Sequence, residues 1–74
     1  MKEIKLEEVI SSNIKKIGFD PEENKLYIQY ASGIYAYDNV NKDLFEALKQ
    51  AESKGKFVSE NIKGKYVFKK LIKY

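Results

Sequence analysis

Apolar and polar positions alternate most clearly between Asn13 and Asp38. Ile17 and Phe19 share one side of an extended segment and Lys16 and Gly18 the other, until Asp20-Pro21-Glu22-Glu23-Asn24 interrupts the period. Pro21 pre-sets the backbone for a turn, and Asp20 and Asn24 carry short side chains that bond nearby backbone groups. From Lys25 to Tyr30 the alternation resumes, with Leu26, Ile28 and Tyr30 on one face and Tyr27 and Gln29 on the other. Ala31-Ser32-Gly33 then separates this strand from a return strand, Ile34 to Asp38. The register of that hairpin decides where two tyrosines point. A two-residue turn at Ser32-Gly33 sets Tyr35 and Tyr37 on the Leu26 face, towards a core. A three-residue loop with Gly33 in the left-handed bulge position turns them outward, and the place of Gly33 as third loop residue favours the bulge.

After Asn39 the period lengthens. Asn41 is suited to cap a helix, Val40 stands one residue before it as a staple for Phe45, and Leu44, Leu48 and Ala51 recur at helical spacing, with Lys42, Glu46, Lys49 and Gln50 towards water. The helix is expected to end at Ser53-Lys54-Gly55, Gly55 serving as a left-handed C-cap. Phe57 then anchors a loop, Ser59-Glu60-Asn61-Ile62 opens a short helical turn that Gly64 breaks, and Tyr66-Val67-Phe68 reads as a final strand. Residues 1–10 fit neither period, and a loosely ordered arm over 1–8 is one reading. The pattern predicts an α+β fold: a small antiparallel sheet of strand, hairpin and C-terminal strand packed on one amphipathic helix, in a single domain spanning residues 1–74.

Composition narrows the classes of function. The chain has neither cysteine nor histidine, which removes disulfide staples, thiolate metal sites and the commonest general base. A reducing cytoplasm is the expected compartment. No export signal is visible, and the longest uncharged run, Leu26 to Tyr37, is too short for a membrane helix. Charge is uneven: the seven lysines after Glu52 face Glu60 alone, whereas the preceding residues are net acidic. A basic C-terminal third suits an anionic partner and also serves as a solvated face. With lysine as the only basic residue, the guanidinium fork that reads guanine is missing, which disfavours sequence-specific duplex recognition.

In this order, the residues resemble the KTSC domain, a short module found at the C-terminus of some lysyl-tRNA synthetases and as a free-standing protein. The resemblance runs from about residue 9 to residue 71. It is carried by Ser11-Ser12, Ile17-Gly18-Phe19-Asp20, Leu26-x-Ile28-x-Tyr30, Gly33, Tyr35-x-Tyr37 and Asn39-Val40, then by Ala51-x-Ser53-x-Gly55-x-Phe57, Asn61-Ile62 and Tyr66-x-Phe68. Asn41 replaces the family's common proline, and Lys63 its usual arginine. The resemblance implies a small α+β fold and, through the synthetases, an association with RNA; kinship alone does not assign a role.

The chemistry on offer is sparse. Ser11 and Ser12 have no histidine to activate them and read as capping hydroxyls. Asp20, Glu22 and Glu23 flank a proline turn without calcium-loop spacing. Ser53-Lys54-Gly55-Lys56 lacks the leading glycine and the strand-to-helix setting of a phosphate loop. No enzyme, cofactor or metal is expected. The leading expectation is a nucleic-acid-binding module for RNA or single strands, with Tyr27, Tyr35 and Tyr37 as stacking rings and Lys54, Lys56, Lys63 and Lys65 along phosphates. Core packing is the competing reading for Tyr35 and Tyr37. The alternatives are a protein-interaction module or homodimer, encoded by a phage or mobile element, and a nucleotide-sequestering pocket rimmed by Lys63 and Tyr66.

Overall fold

Each strand of the sheet pairs antiparallel with the next, in the order β1 (Glu7–Glu8), β2 (Ile14–Asp20), β3 (Lys25–Tyr30), β4 (Gly33–Tyr37) and β5 (Phe68–Lys73). Two helices, α1 (Lys42–Gln50) and α2 (Lys54–Asn61), lie between β4 and β5 in the chain. This computed structural model describes residues 5–11 and 13–73. The first four residues of the expected arm, and Ser12, lie outside that range, while Glu7 and Glu8 pair with Ile17 and Lys16 as an edge strand rather than a loose arm.

Alternation explains which face is buried. Ile17, Ile28 and Tyr35 stand in one rung across β2, β3 and β4, and Phe19, Leu26 and Tyr37 in another, so all six point to the same side. On that side the sheet residues Ile14, Ile17, Leu26, Ile28 and Tyr37 form one core with Val40, Leu48, Val58 and Ile62 from the helical layer. Phe19 stacks on Phe45 of α1, ring centroids 5.2 Å apart, which ties the helix to the β2–β3 side. The reverse face carries the rung Gly18, Tyr27, Ala36, in which the two smallest side chains stand on either side of the half-buried Tyr27.

Local chemistry sets the turns. Buried Asp20 accepts the Glu22 and Glu23 amides at 3.0 and 3.3 Å, the bonding expected of an aspartate at a turn. Asn41 caps α1 as anticipated, its Oδ1 accepting the Leu44 amide at 2.8 Å. Ser11 accepts the Asn13 and Ile14 amides at 3.4 Å, so its hydroxyl serves the backbone.

Four expectations are corrected. The β3–β4 turn is Ala31-Ser32, with Tyr30 opposite Gly33, so no bulge intervenes and Tyr35 and Tyr37 face inward. Gly33 is demanded by a neighbour instead: its φ is +153°, and a Cβ there would lie 2.0 Å from the Ile72 carbonyl oxygen on β5. Among the described residues there are two helices, because Ser53 caps a new one by accepting the Lys56 amide at 3.3 Å. Gly55 therefore sits in the first turn of α2 and is no C-cap; α1 stops at Ala51, which turns extended. Finally, the last strand begins at Phe68, after a turn in which the Lys65 and Tyr66 amides donate to the Ile62 carbonyl.

Candidate functional site

The helical layer seals Ile17, Leu26 and Ile28 but leaves the core-facing side of β4 and β5 partly open. There the inward residues are Tyr30, Tyr35, Tyr37 and Phe68, placed together by alternation along β3 and β4 and by the pairing of Tyr37 with Phe68. Tyr35 and Tyr30 meet at 5.2 Å in a T-shaped contact, and Phe68 leans on Tyr35 and Tyr37 at 5.4 and 5.6 Å. These rings line a cavity of about 530 Å³, with Asn13, the Ala31-Ser32 turn and the Lys63-Gly64 segment after α2 at its rim. Gly64 holds φ +77° with open space where a Cβ would be, so its left-handed backbone, rather than crowding, calls for glycine at this bend.

Two ammonium groups attend the rings. Lys63 Nζ lies 5.3 Å from the centre of the Tyr30 ring, and Lys70 Nζ lies 5.2 Å from that of Tyr35. The cavity lining holds no acid. The Tyr30 and Tyr37 hydroxyls bond each other at 3.1 Å. Burial, then that bond, pushes the Tyr30 phenol above the ordinary range, and burial does the same for Tyr37. Tyr35 goes the other way: the Lys70 ammonium holds its phenol below the ordinary value, with the Ser32 hydroxyl adding to the effect. The result is an aromatic hollow in a cationic field, which favours a flat or apolar ligand part joined to an anion. Among the described residues, no group of three or more acids is placed to hold a metal ion, and no helix is long and apolar enough to cross a membrane.

The structure gathers only part of the expected set. Tyr35, Tyr37 and Lys63 meet in the cavity. Tyr37, at 3% exposure, is a wall of the hollow and not the open stacking ring that one reading required. Tyr27 belongs to the opposite face of the sheet. Lys54 donates to the Ala51 carbonyl at 3.0 Å and so closes the end of α1, away from the hollow. Lys56 is exposed in the first turn of α2, and Lys65 in the turn after it; neither lines the cavity. Tyr66 packs against the core and does not line this cavity. Tyr30, Phe68 and Lys70 were missed as site residues. A signal for the first existed, since Tyr30 shares the Leu26 face with Tyr35 and Tyr37 once the turn is two residues long.

An antiparallel five-strand meander backed by two helices, with an aromatic hollow at its open end, defines a small α+β module. The family model described as the KTSC domain matches residues 10–66, and the chain belongs to that family. Its fold is similar to the crystal structure of a KTSC domain protein from Yersinia pestis, with a TM-score of 0.91 and 36% identity, covering 93% of this chain and 99% of that one. Among sequences, it is 36% identical over 62 residues to a protein of Tsukamurella paurometabola, covering 82% of this chain and 92% of that one. It is also 33% identical over 54 residues to an uncharacterised protein of Stutzerimonas stutzeri, covering 72% and 76% respectively.

Proposed function

We propose that the chain is a non-enzymatic binding module whose hollow takes one unpaired nucleotide of RNA or single-stranded DNA in the cytoplasm. The observation that carries this reading is the meeting of Tyr35, Phe68 and Lys63 in one acid-free cavity of about 530 Å³, with the Lys70 ammonium over the Tyr35 ring. The base lies against Tyr35 and the half-exposed Phe68, a contact worth about 1–3 kcal/mol and indifferent to base identity. The flanking phosphates meet Lys63 and Lys70 as point charges, which gives affinity without sequence reading. A duplex cannot enter, because its bases are stacked and a hollow of this size admits one residue at a time.

The test is a salt-dependent titration of fluorescent oligouridylate and oligothymidylate. Affinity should fall steeply between low and moderate salt, Tyr35→Ala should weaken binding about 10-fold, and Lys63→Ala should lower the logarithmic salt slope by about 0.7, the share of one single-strand phosphate contact. Binding that ignores salt, or survives Tyr35→Ala unchanged, contradicts the assignment. Mononucleotide binding as tight as oligonucleotide binding would favour a nucleotide-sequestering role for the same hollow.

A further inference from the structure

Exposed apolar side chains are concentrated at one edge of the sheet. Of the five large ones among the described residues, four fall between positions 67 and 72: Val67 at 72% exposure, Phe68 at 53%, Leu71 at 49% and Ile72 at 46%. β5 closes the strand order and pairs with β4 alone, so the outer side of its six-residue backbone presents N–H and C=O groups without ladder partners. Edges of this length and apolarity attract another strand unless they are blunted. Two lysines stand within it. Lys69 pairs with Ala36 and Lys70 with Tyr35, so β4 offers neither an acid.

We propose that β5 is a docking edge for an extended acidic segment of another protein, which joins the sheet as a sixth strand. Three features choose this occupant. A strand edge alternates donors and acceptors; a polypeptide answers both, whereas the phosphates of a nucleic acid supply acceptors only and leave the carbonyls unmet. The apolar side chains offer pockets for alternate residues of such a segment, which a phosphate backbone would not fill. Lys69 and Lys70 select carboxylates, and they set lysine against lysine when two copies of β5 are paired about either residue. The opposite edge, Glu7–Glu8, has the right charge but only two residues of strand with which to meet β5 of another copy.

The edge shares Phe68 and Lys70 with the hollow, whereas Lys69 stands opposite Ala36 on the reverse face, and Tyr35→Ala tells the two sites apart. The full-length, isotope-labelled protein is titrated with an eight-residue peptide of alternating Glu and Val, with its Lys–Val counterpart beside it, and amide hydrogen exchange is followed. The expected result is exchange slowed at least 10-fold at β5 amides by the Glu–Val peptide alone. The Lys69→Glu/Lys70→Glu variant should reverse that preference, and unchanged exchange of β2 and β3 amides verifies that it is folded. No slowing at millimolar peptide, or equal slowing by both peptides, overturns the proposal. Slowing that grows with protein concentration and needs no peptide overturns it in favour of self-association, and slowing by oligothymidylate that persists in Tyr35→Ala overturns it in favour of nucleic acid. Tyr35→Ala, which empties the hollow of its central ring, should leave the peptide effect intact.

Discussion

The two sides of this sheet are built from the same alternating strands and have different fates. On the β2–β3 side, Ile17, Leu26 and Ile28 share a sealed core with Leu48, Val58 and Ile62, none more than 1% exposed. On the β4–β5 side the inward residues are aromatic, Phe68 is 53% exposed, and the outermost strand carries lysines among its apolar side chains. The difference lies in the reach of the helical layer rather than in strand chemistry. Two short helices, of nine and eight residues, cover part of a five-strand sheet, and the uncovered remainder stays an open aromatic surface.

The contrast is broken or sharpened most strongly by truncation. Ile28→Ala, in the sealed half, should cost about 2–5 kcal/mol in urea denaturation, while Phe68→Ala, in the open half, should cost under about 1 kcal/mol. Equal losses would mean that the open half is packed as tightly as the other. A smaller effect, about 1–3 kcal/mol, is expected for Gly33→Ala, because the new Cβ meets backbone and not a yielding side chain. Its signature is faster amide exchange in β5 with β2 and β3 unchanged; uniform loosening would show that the halves are not separable.

The smallest effect is on alkaline titration. Tyr35, held below the ordinary phenol value of about 10 by Lys70, favours the fold in its ionised form. Its contribution is present above the unfolded value and is lost as pH falls through the folded one. Tyr30 and Tyr37 have the opposite sign: raised by burial, they support the fold fully below pH about 10 and lose that support as pH rises beyond it. Phenolate absorbance should therefore show Tyr35 ionising before Tyr30 and Tyr37, Lys70→Met should delay that step, and Tyr30→Phe should leave it in place.

Much of this architecture is legible in the sequence. The alternation of Ile17, Phe19, Leu26 and Ile28 predicts the buried face, and Asn41 predicts the start of the first helix. Helix α2 escaped because its apolar residues make a weak stripe and Gly55 imitates a terminator, so the capping role of Ser53 is visible only once the Lys56 amide is seen to reach it. The hollow was half legible. Tyr35 and Tyr37 stood out, but their direction hangs on a turn whose glycine answers to β5, a strand distant in sequence. Lys70 was read as part of a diffuse basic surface, since nothing local reveals that β5 carries its ammonium over the Tyr35 ring.

The pairing of Gly33 with Lys73 and of Tyr37 with Phe68 also has a kinetic meaning. The first four strands zip through short turns, each closing a small loop, whereas β5 must find β4 across the whole helical segment and bears a larger closure entropy. The closure-entropy difference predicts that β1 to β4 associate while β4 is still an edge and that β5 docks late. In the language of transition states, contacts at Gly33 and Ile72 should then fall in the low-φ class, and Gly33→Ala should show faster unfolding rather than slower folding in a chevron measurement. The glycine that makes room for one carbonyl governs how long the native sheet keeps its fifth strand.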